Sequence, residues 1–174
     1  MRGDVIVISG VSGAGKSTLA AALRSYLVNQ GRNVSVLDGD SCRSFFSGAL
    51  LYSPADRLMV SKVLGYGADL LAAAGVDVIL ATMFSQPGAR DFVKQKLPFA
   101  EIFLDAPLEE CMKKDVKQLY AERMAEATPE LVGVDLSFHS PSDPDLVIPT
   151  HRESVEQSLE RIVSFLRARK LCGQ

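Results

Sequence analysis

Val5-Ile6-Val7-Ile8-Ser9-Gly10-Val11-Ser12-Gly13-Ala14-Gly15-Lys16-Ser17-Thr18-Leu19 is the stretch of the chain that decides its fold. Its first five residues form an apolar run of strand length. From Lys16 onward, Leu19, Leu23, Tyr26 and Leu27 recur at helical spacing, and Gly31 closes the pattern. Between strand and helix, Gly10–Ser17 matches G-x-x-x-x-G-K-[ST] at every fixed position. In that setting the glycines let backbone N–H groups turn inward around phosphate oxygens, and the helix adds its positive end. Gly10, Ser12, Gly13, Ala14, Gly15, Lys16, Ser17 and Thr18 are therefore the expected nucleotide-binding residues. Lys16 offers a point charge to the β/γ-phosphates, and the Ser17 hydroxyl is placed to ligate Mg²⁺.

Outward from this loop, apolar runs alternate with helix-period segments, the mark of a parallel sheet with crossover helices. Asn33–Leu37 reads as a second strand ending in Asp38-Gly39-Asp40. Ser53-Pro54-Ala55-Asp56 announces a helix: Ser53 caps, Pro54 suits the first helical position, and Asp56 stands where a capping-box acid belongs. That helix should run to about Ala74, with Gly75 stopping it, and Val76–Thr82 reads as a central strand buried on both faces. Ile102–Leu104 continues the pattern, Asp105 and Pro107 open another helix, and Leu146–Ile148 is a last short strand. A C-terminal helix carries Val155, Leu159, Ile162 and Leu166 on one face, with Arg167, Arg169 and Lys170 near its negative end. Tyr120–Pro144 is polar and weakly periodic, the character of a lid or binding loop. The expectation is one three-layer α/β domain over 1–174, with a mainly parallel five-stranded sheet and a lid at about 117–140.

Bulk properties narrow the partners. The 174 residues are 47% hydrophobic and 23% charged, a globular composition, and the net charge of −2 offers no basic field to a nucleic-acid polymer. Cys42, Cys111 and Cys172 are odd in number and far apart, which fits reduced thiols in a cytoplasmic protein. No apolar stretch approaches the roughly 18–20 residues that a membrane span requires. The expected partner is a small nucleotide-like molecule, with no nucleic-acid polymer and no membrane, and, if the chain self-associates, a homodimer.

The loop by itself does not distinguish a kinase from a nucleotide switch. No N-K-x-D guanine signature occurs, and Val76–Thr82 does not end in the acid that motor-type ATPases use on water. Both absences favour phosphotransfer from ATP to a small acceptor. Asp38 and Asp40 lie at the carboxyl end of the second strand, where open α/β sheets bind ligands. A carboxylate there would orient or deprotonate the accepting hydroxyl and help hold Mg²⁺. Two acids at a strand end also serve as helix caps, and that reading stands beside the first, more for Asp40 than for Asp38. Arg43 and Arg57 would grip an anionic acceptor bidentately or lie solvated on the surface. Tyr52 would stack on a ring or simply pack.

From Val5 to about Thr150 the chain resembles the adenylylsulfate kinase family, which transfers the γ-phosphate of ATP to the 3′-hydroxyl of adenosine 5′-phosphosulfate. The resemblance rests on G-V-S-G-A-G-K-S-T, L-D-G-D followed by Arg43, Y-S-P-A-D-R, F-L-D-A-P-L-E-E-C, K-D-V-K-Q-L-Y, V-G-V-D and P-x-x-P-D-L-V-I. It implies that Asp38 is the catalytic carboxylate beside Lys16, with Ser17 and Asp38 as metal ligands. It places Arg43, Tyr52 and Arg57 at the acceptor, Lys117, Leu119 and Tyr120 at the start of the lid, Leu131 and Val132 just before its far end, and Gly133 and Asp135 at that end. Asp40, beside Asp38 at the strand end, is counted with the acceptor residues. Departures gather on the acceptor side. Val60 replaces an Asn, Leu131-Val132 replace Phe-Thr, and Phe84-Ser85-Gln86-Pro87 replace a serine-proline-x-arginine stretch. The V-G-V-D form also resembles members that phosphorylate other nucleotide-linked acceptors such as cytidine diphosphoramidate. A nucleotide-binding regulatory module without transferase activity is a third reading, opposed by the intact Lys16, Ser17 and Asp38.

Overall fold

The computed structural model describes residues 1–46, 52–86, 88–114 and 138–172. Five parallel strands, β1 (Val5–Ser9), β2 (Val34–Asp38), β3 (Asp77–Thr82), β4 (Ala100–Leu104) and β5 (Leu146–Ile148), form one sheet in the order β2-β3-β1-β4-β5. The inner strands β1, β3 and β4 are buried at every position, which is why their centres read as apolar runs although Asp77, Thr82 and Glu101 are buried among them. Edge strand β2 buries only Val34 fully and tolerates Ser35 and Asp38.

Helices cover both faces: α1 (Lys16–Asn29), α2 (Gly39–Phe45), α3 (Pro54–Ala73), α4 (Ala89–Lys96), α5 (Leu108–Lys114) and α6 (Val155–Ala168). The period-2 alternation of the strands sorts the core. Ile6, Ile8, Ile79, Ile102 and Ile148 pack on Leu19, Leu23 and Leu27 of α1 and on Ile162 and Leu166 of α6. Val7 and Leu80 pack on Val60 and Leu64 of α3 and on Val93 of α4. Adjacent strands β1 and β3 thus send their following helices, α1 and α4, to opposite faces. Their carboxyl ends are therefore the topological switch point, where a crevice and ligands are usual in such sheets.

The predicted sheet and most element starts are present, including the Ser53–Asp56 capping box that opens α3. Several boundaries differ. β2 takes in Asp38, because its partner Ala81 continues the ladder. β4 begins at Ala100, two residues before the predicted start, since Ala100 and Glu101 pair with Ile6 and Val7. Glu101 is fully buried there, and its charge hid the strand from the apolar pattern. Val155 stays exposed although it shares the helical spacing of Ile162 and Leu166, which are buried. α2 was anticipated only in the alternative that Asp38 and Asp40 cap a following helix, and it lasts seven residues; α4, with a largely polar outer face, was not expected. The lid expected at about 117–140 falls almost wholly outside the described residues, as do Lys117, Leu119, Tyr120, Leu131, Val132, Gly133 and Asp135. Among the described residues no cysteine is disulfide-bonded, and no helix is long and apolar enough to cross a membrane.

Candidate active site

Gly10–Ser17 joins β1 to α1 at this switch point. Gly15 is the N-cap of α1 with φ +97°, in the left-handed region where a side chain would be strained, and no side chain caps the helix. The first turn of α1 also holds no acidic residue, so its N–H groups and positive end are left to the loop. At Gly13 the constraint is both torsional and spatial. Its φ is +78°, and an added Cβ would lie 3.1 Å from Cys111 Cβ and 3.2 Å from the Cys111 carbonyl oxygen. Helix α5 therefore backs directly onto the loop at Cys111.

Val11 and Ala14 are buried and anchor the loop from beneath. Gly10 is buried as well, Ser12, Gly15 and Lys16 are half-buried, and Gly13, Ser17 and Thr18 are exposed along the rim. Lys16 Nζ donates to the Val11 carbonyl at 2.8 Å, which folds the ammonium over its own loop. Thr150, just past β5, donates its hydroxyl to the Ala14 carbonyl at 3.0 Å. That strut joins residues 136 positions apart, and nothing in the local pattern around Thr150 announced it.

Asp38 divides its carboxylate between two tasks. Oδ1 accepts from the backbone N–H of Asp40 at 2.8 Å and of Ser41 at 3.4 Å, so Asp38 is the N-cap of α2. Oδ2 accepts from Ser17 Oγ at 3.0 Å, joining the second strand's end to the phosphate loop. The capping role considered for Asp40 belongs to Asp38, and Asp40 sits exposed in the first turn of α2.

Arg43, Tyr52 and Arg57 come together. The Tyr52 ring has the Arg43 guanidinium 4.7 Å from its centroid and the Arg57 guanidinium at 5.5 Å, both within cation–π range. Arg57 Nε donates to the Tyr52 carbonyl at 2.7 Å, and Arg57 is only 5% exposed, so its reading as a solvated surface arginine is corrected. Tyr52 thus has two guanidinia against its ring and remains partly exposed. Val60, three residues past Arg57, is buried with Val7, Leu80 and Phe84. Burial pushes the Cys42 thiol up, partly opposed by Arg43.

Together these groups offer a phosphate cradle, two adjoining oxygen donors at Ser17 and Asp38, and a pair of guanidinia against an aromatic ring. Comparison with known proteins agrees with that arrangement. The profile of the family described as "Adenylylsulphate kinase" matches residues 2–149. The adenylyl-sulfate kinase of Deinococcus deserti is 38% identical over 165 residues, covering 94% of this chain and 91% of that protein. That of Myxococcus xanthus is 36% identical over 174 residues, covering 97% and 94%. The structure of the Mycobacterium tuberculosis APS kinase in complex with AMPPNP and APS superposes with a TM-score of 0.89 at 30% identity, covering 95% of this chain and 98% of that one.

Proposed function

The chain belongs to the adenylylsulphate kinase family, and we propose that it transfers the γ-phosphoryl group of ATP to the 3′-hydroxyl of adenosine 5′-phosphosulfate. The observation that carries this reading is the Asp38 carboxylate. It is fixed by its cap bonds and hydrogen-bonded to Ser17, so a single group serves both the phosphate loop and the acceptor edge.

ATP lies with its phosphates on Gly10–Thr18, where backbone N–H groups and the α1 terminus receive the charge. Lys16 Nζ exchanges the Val11 carbonyl for a phosphate oxygen, one hydrogen bond for another. The Ser17 hydroxyl and Asp38 carboxylate are hard oxygen donors of the kind Mg²⁺ takes, and the ion would neutralise charge on the phosphates. Arg43 and Arg57 bind the anionic end of the acceptor, and the Tyr52 ring lies within cation–π range of both. The acceptor oxygen attacks the γ-phosphorus in line as the bond to the β-phosphate oxygen breaks. ADP leaves, and the hydroxyl proton passes to Asp38. Positioning and charge supply the catalysis, with no covalent enzyme intermediate.

A second acceptor, a nucleotide-linked compound such as cytidine diphosphoramidate, is favoured by one observation. Val60 lies in an apolar cluster with Phe84, where the resemblance leads to a polar Asn. A panel of adenosine and cytidine acceptors with labelled ATP tests both. Label transfer to adenosine phosphosulfate that Lys16→Ala reduces by roughly a hundredfold or more supports the reading. Transfer confined to cytidine acceptors replaces the acceptor, and undiminished turnover in Lys16→Ala refutes the role of the loop.

A further inference from the structure

Beneath the phosphate loop, on the face covered by α3 and α4, three polar side chains meet in the core. Glu101 of β4 is 0% exposed and Ser9, the last residue of β1, is 1% exposed. Ser9 Oγ donates to Glu101 Oε1 at 2.8 Å, and Arg90 Nε, from the first turn of α4, donates to the same oxygen at 3.0 Å. The Arg90 guanidinium also lies 5.7 Å from the centroid of Phe84. Glu101 Oε2 and Arg90 Nη2 are buried without a partner among the described residues.

This arrangement is a poor device for stability. A guanidinium and a carboxylate that orient freely form two parallel hydrogen bonds. Here Oε1 is shared with Ser9 and the second bond is not made. Removing both charges from water is costly, and buried ion pairs are often replaced by apolar side chains with no loss of stability. Leaving one donor and one acceptor unmet adds to the cost. What the network does specify is position. Ser9 immediately precedes Gly10, and Arg90 follows the loop that leaves β3. One carboxylate therefore ties together the exits of the two strands at the switch point.

We propose that Glu101 and Arg90 are positioning residues for the phosphate loop: through Ser9 they hold the turn at Gly10 in the geometry that nucleotide phosphates require, without touching the nucleotide. The inference rests on the reading of Gly10–Thr18 as an ATP phosphate loop. It assigns a role to a buried carboxylate and an arginine that transfer chemistry does not otherwise use.

The test replaces the whole network with apolar side chains of similar size, in the triple variant Ser9→Ala, Arg90→Met, Glu101→Met. Thermal melting and calorimetric binding of AMPPNP are compared with the wild type. The expected result is a melting temperature at or above that of the wild type together with AMPPNP affinity lower by about tenfold, since small misplacements of a binding group carry penalties of that order or larger. A purely structural network gives the reverse pattern, lower stability with unchanged affinity, and that result overturns the proposal. So does a variant unchanged in both. If the triple variant does not fold, Ser9→Ala alone decides: weakened AMPPNP binding in a folded protein supports the proposal, and wild-type affinity overturns it. Failure of the wild type itself to bind AMPPNP sinks the reading of the loop, and the inference with it.

Discussion

Replacing Asp38 separates the two tasks its carboxylate performs. Oδ1 accepts the α2 cap bonds from the Asp40 and Ser41 N–H groups, whereas Oδ2 faces Ser17 Oγ. Asp38→Asn keeps an oxygen at the cap, where Asn and Asp are about equally good, so stability should change by less than about 0.5 kcal/mol. It places an amide nitrogen toward Ser17 and removes the charge, which abolishes both the proton acceptor and the anionic metal ligand. General-base loss alone is worth roughly 10²–10⁴ in kcat, or about 2.7–5.4 kcal/mol at 1.36 kcal/mol per decade. Asp38→Ala loses the cap as well and should cost about 1 kcal/mol of stability, with a comparable fall in kcat. Urea denaturation combined with a coupled ADP-release assay reads both quantities. A kcat for Asp38→Asn within about threefold of the wild type, under roughly 0.7 kcal/mol, would refute the catalytic role. Asp38 would then be a capping residue alone, and Asp40 the next candidate.

Two further substitutions follow from the geometry. Gly13→Ala combines a φ of +78° with a Cβ 3.1 Å from Cys111 Cβ. It should lower stability by about 1–2 kcal/mol and raise the KM for ATP, and a wild-type melting curve with unchanged KM would contradict the close approach of α5. Cys172 lies by Asp77 and Asp4, and burial, followed by repulsion from those carboxylates, pushes its thiol up from 9.0 to about 12 against the opposing pull of Arg32. The folded chain therefore keeps a proton that the unfolded chain releases. The stabilisation from this group is complete below about pH 9 and is lost between pH 9 and about 12. Urea titrations of wild type and Cys172→Ala across that window should converge as pH rises, and alkylation of Cys172 near pH 8 at the rate of an ordinary thiol would disprove the shift.

Features set by a few neighbouring residues were legible from the chain alone. The phosphate loop is one, because the positive φ at Gly13 and Gly15 is a local steric demand that glycine alone meets without strain. The start of α3 is another: Ser53, Pro54 and Asp56 satisfy the helix end within a single turn. The inner strands β1 and β3 could be read because burial on both faces leaves little polar alternation to confuse. The same logic explains the failures. Glu101 looked like a strand boundary because burial of a charge depends on Ser9 and Arg90, one distant in sequence and the other on a separate element. Arg57 reads as either gripping or solvated from the chain, and only the fold buries it and bonds it to the Tyr52 carbonyl. The sharing of Asp38 between Ser17 and the α2 cap needs β2 and β1 to be brought alongside β3, and strand order is decided by backbone pairing across tens of residues. Local sterics and periodicity are written in adjacent residues. The partners of a buried polar group are chosen by the sheet that surrounds it, so the sequence by itself determined the loop and most of the elements, and only the tertiary structure decided which side chains meet around them.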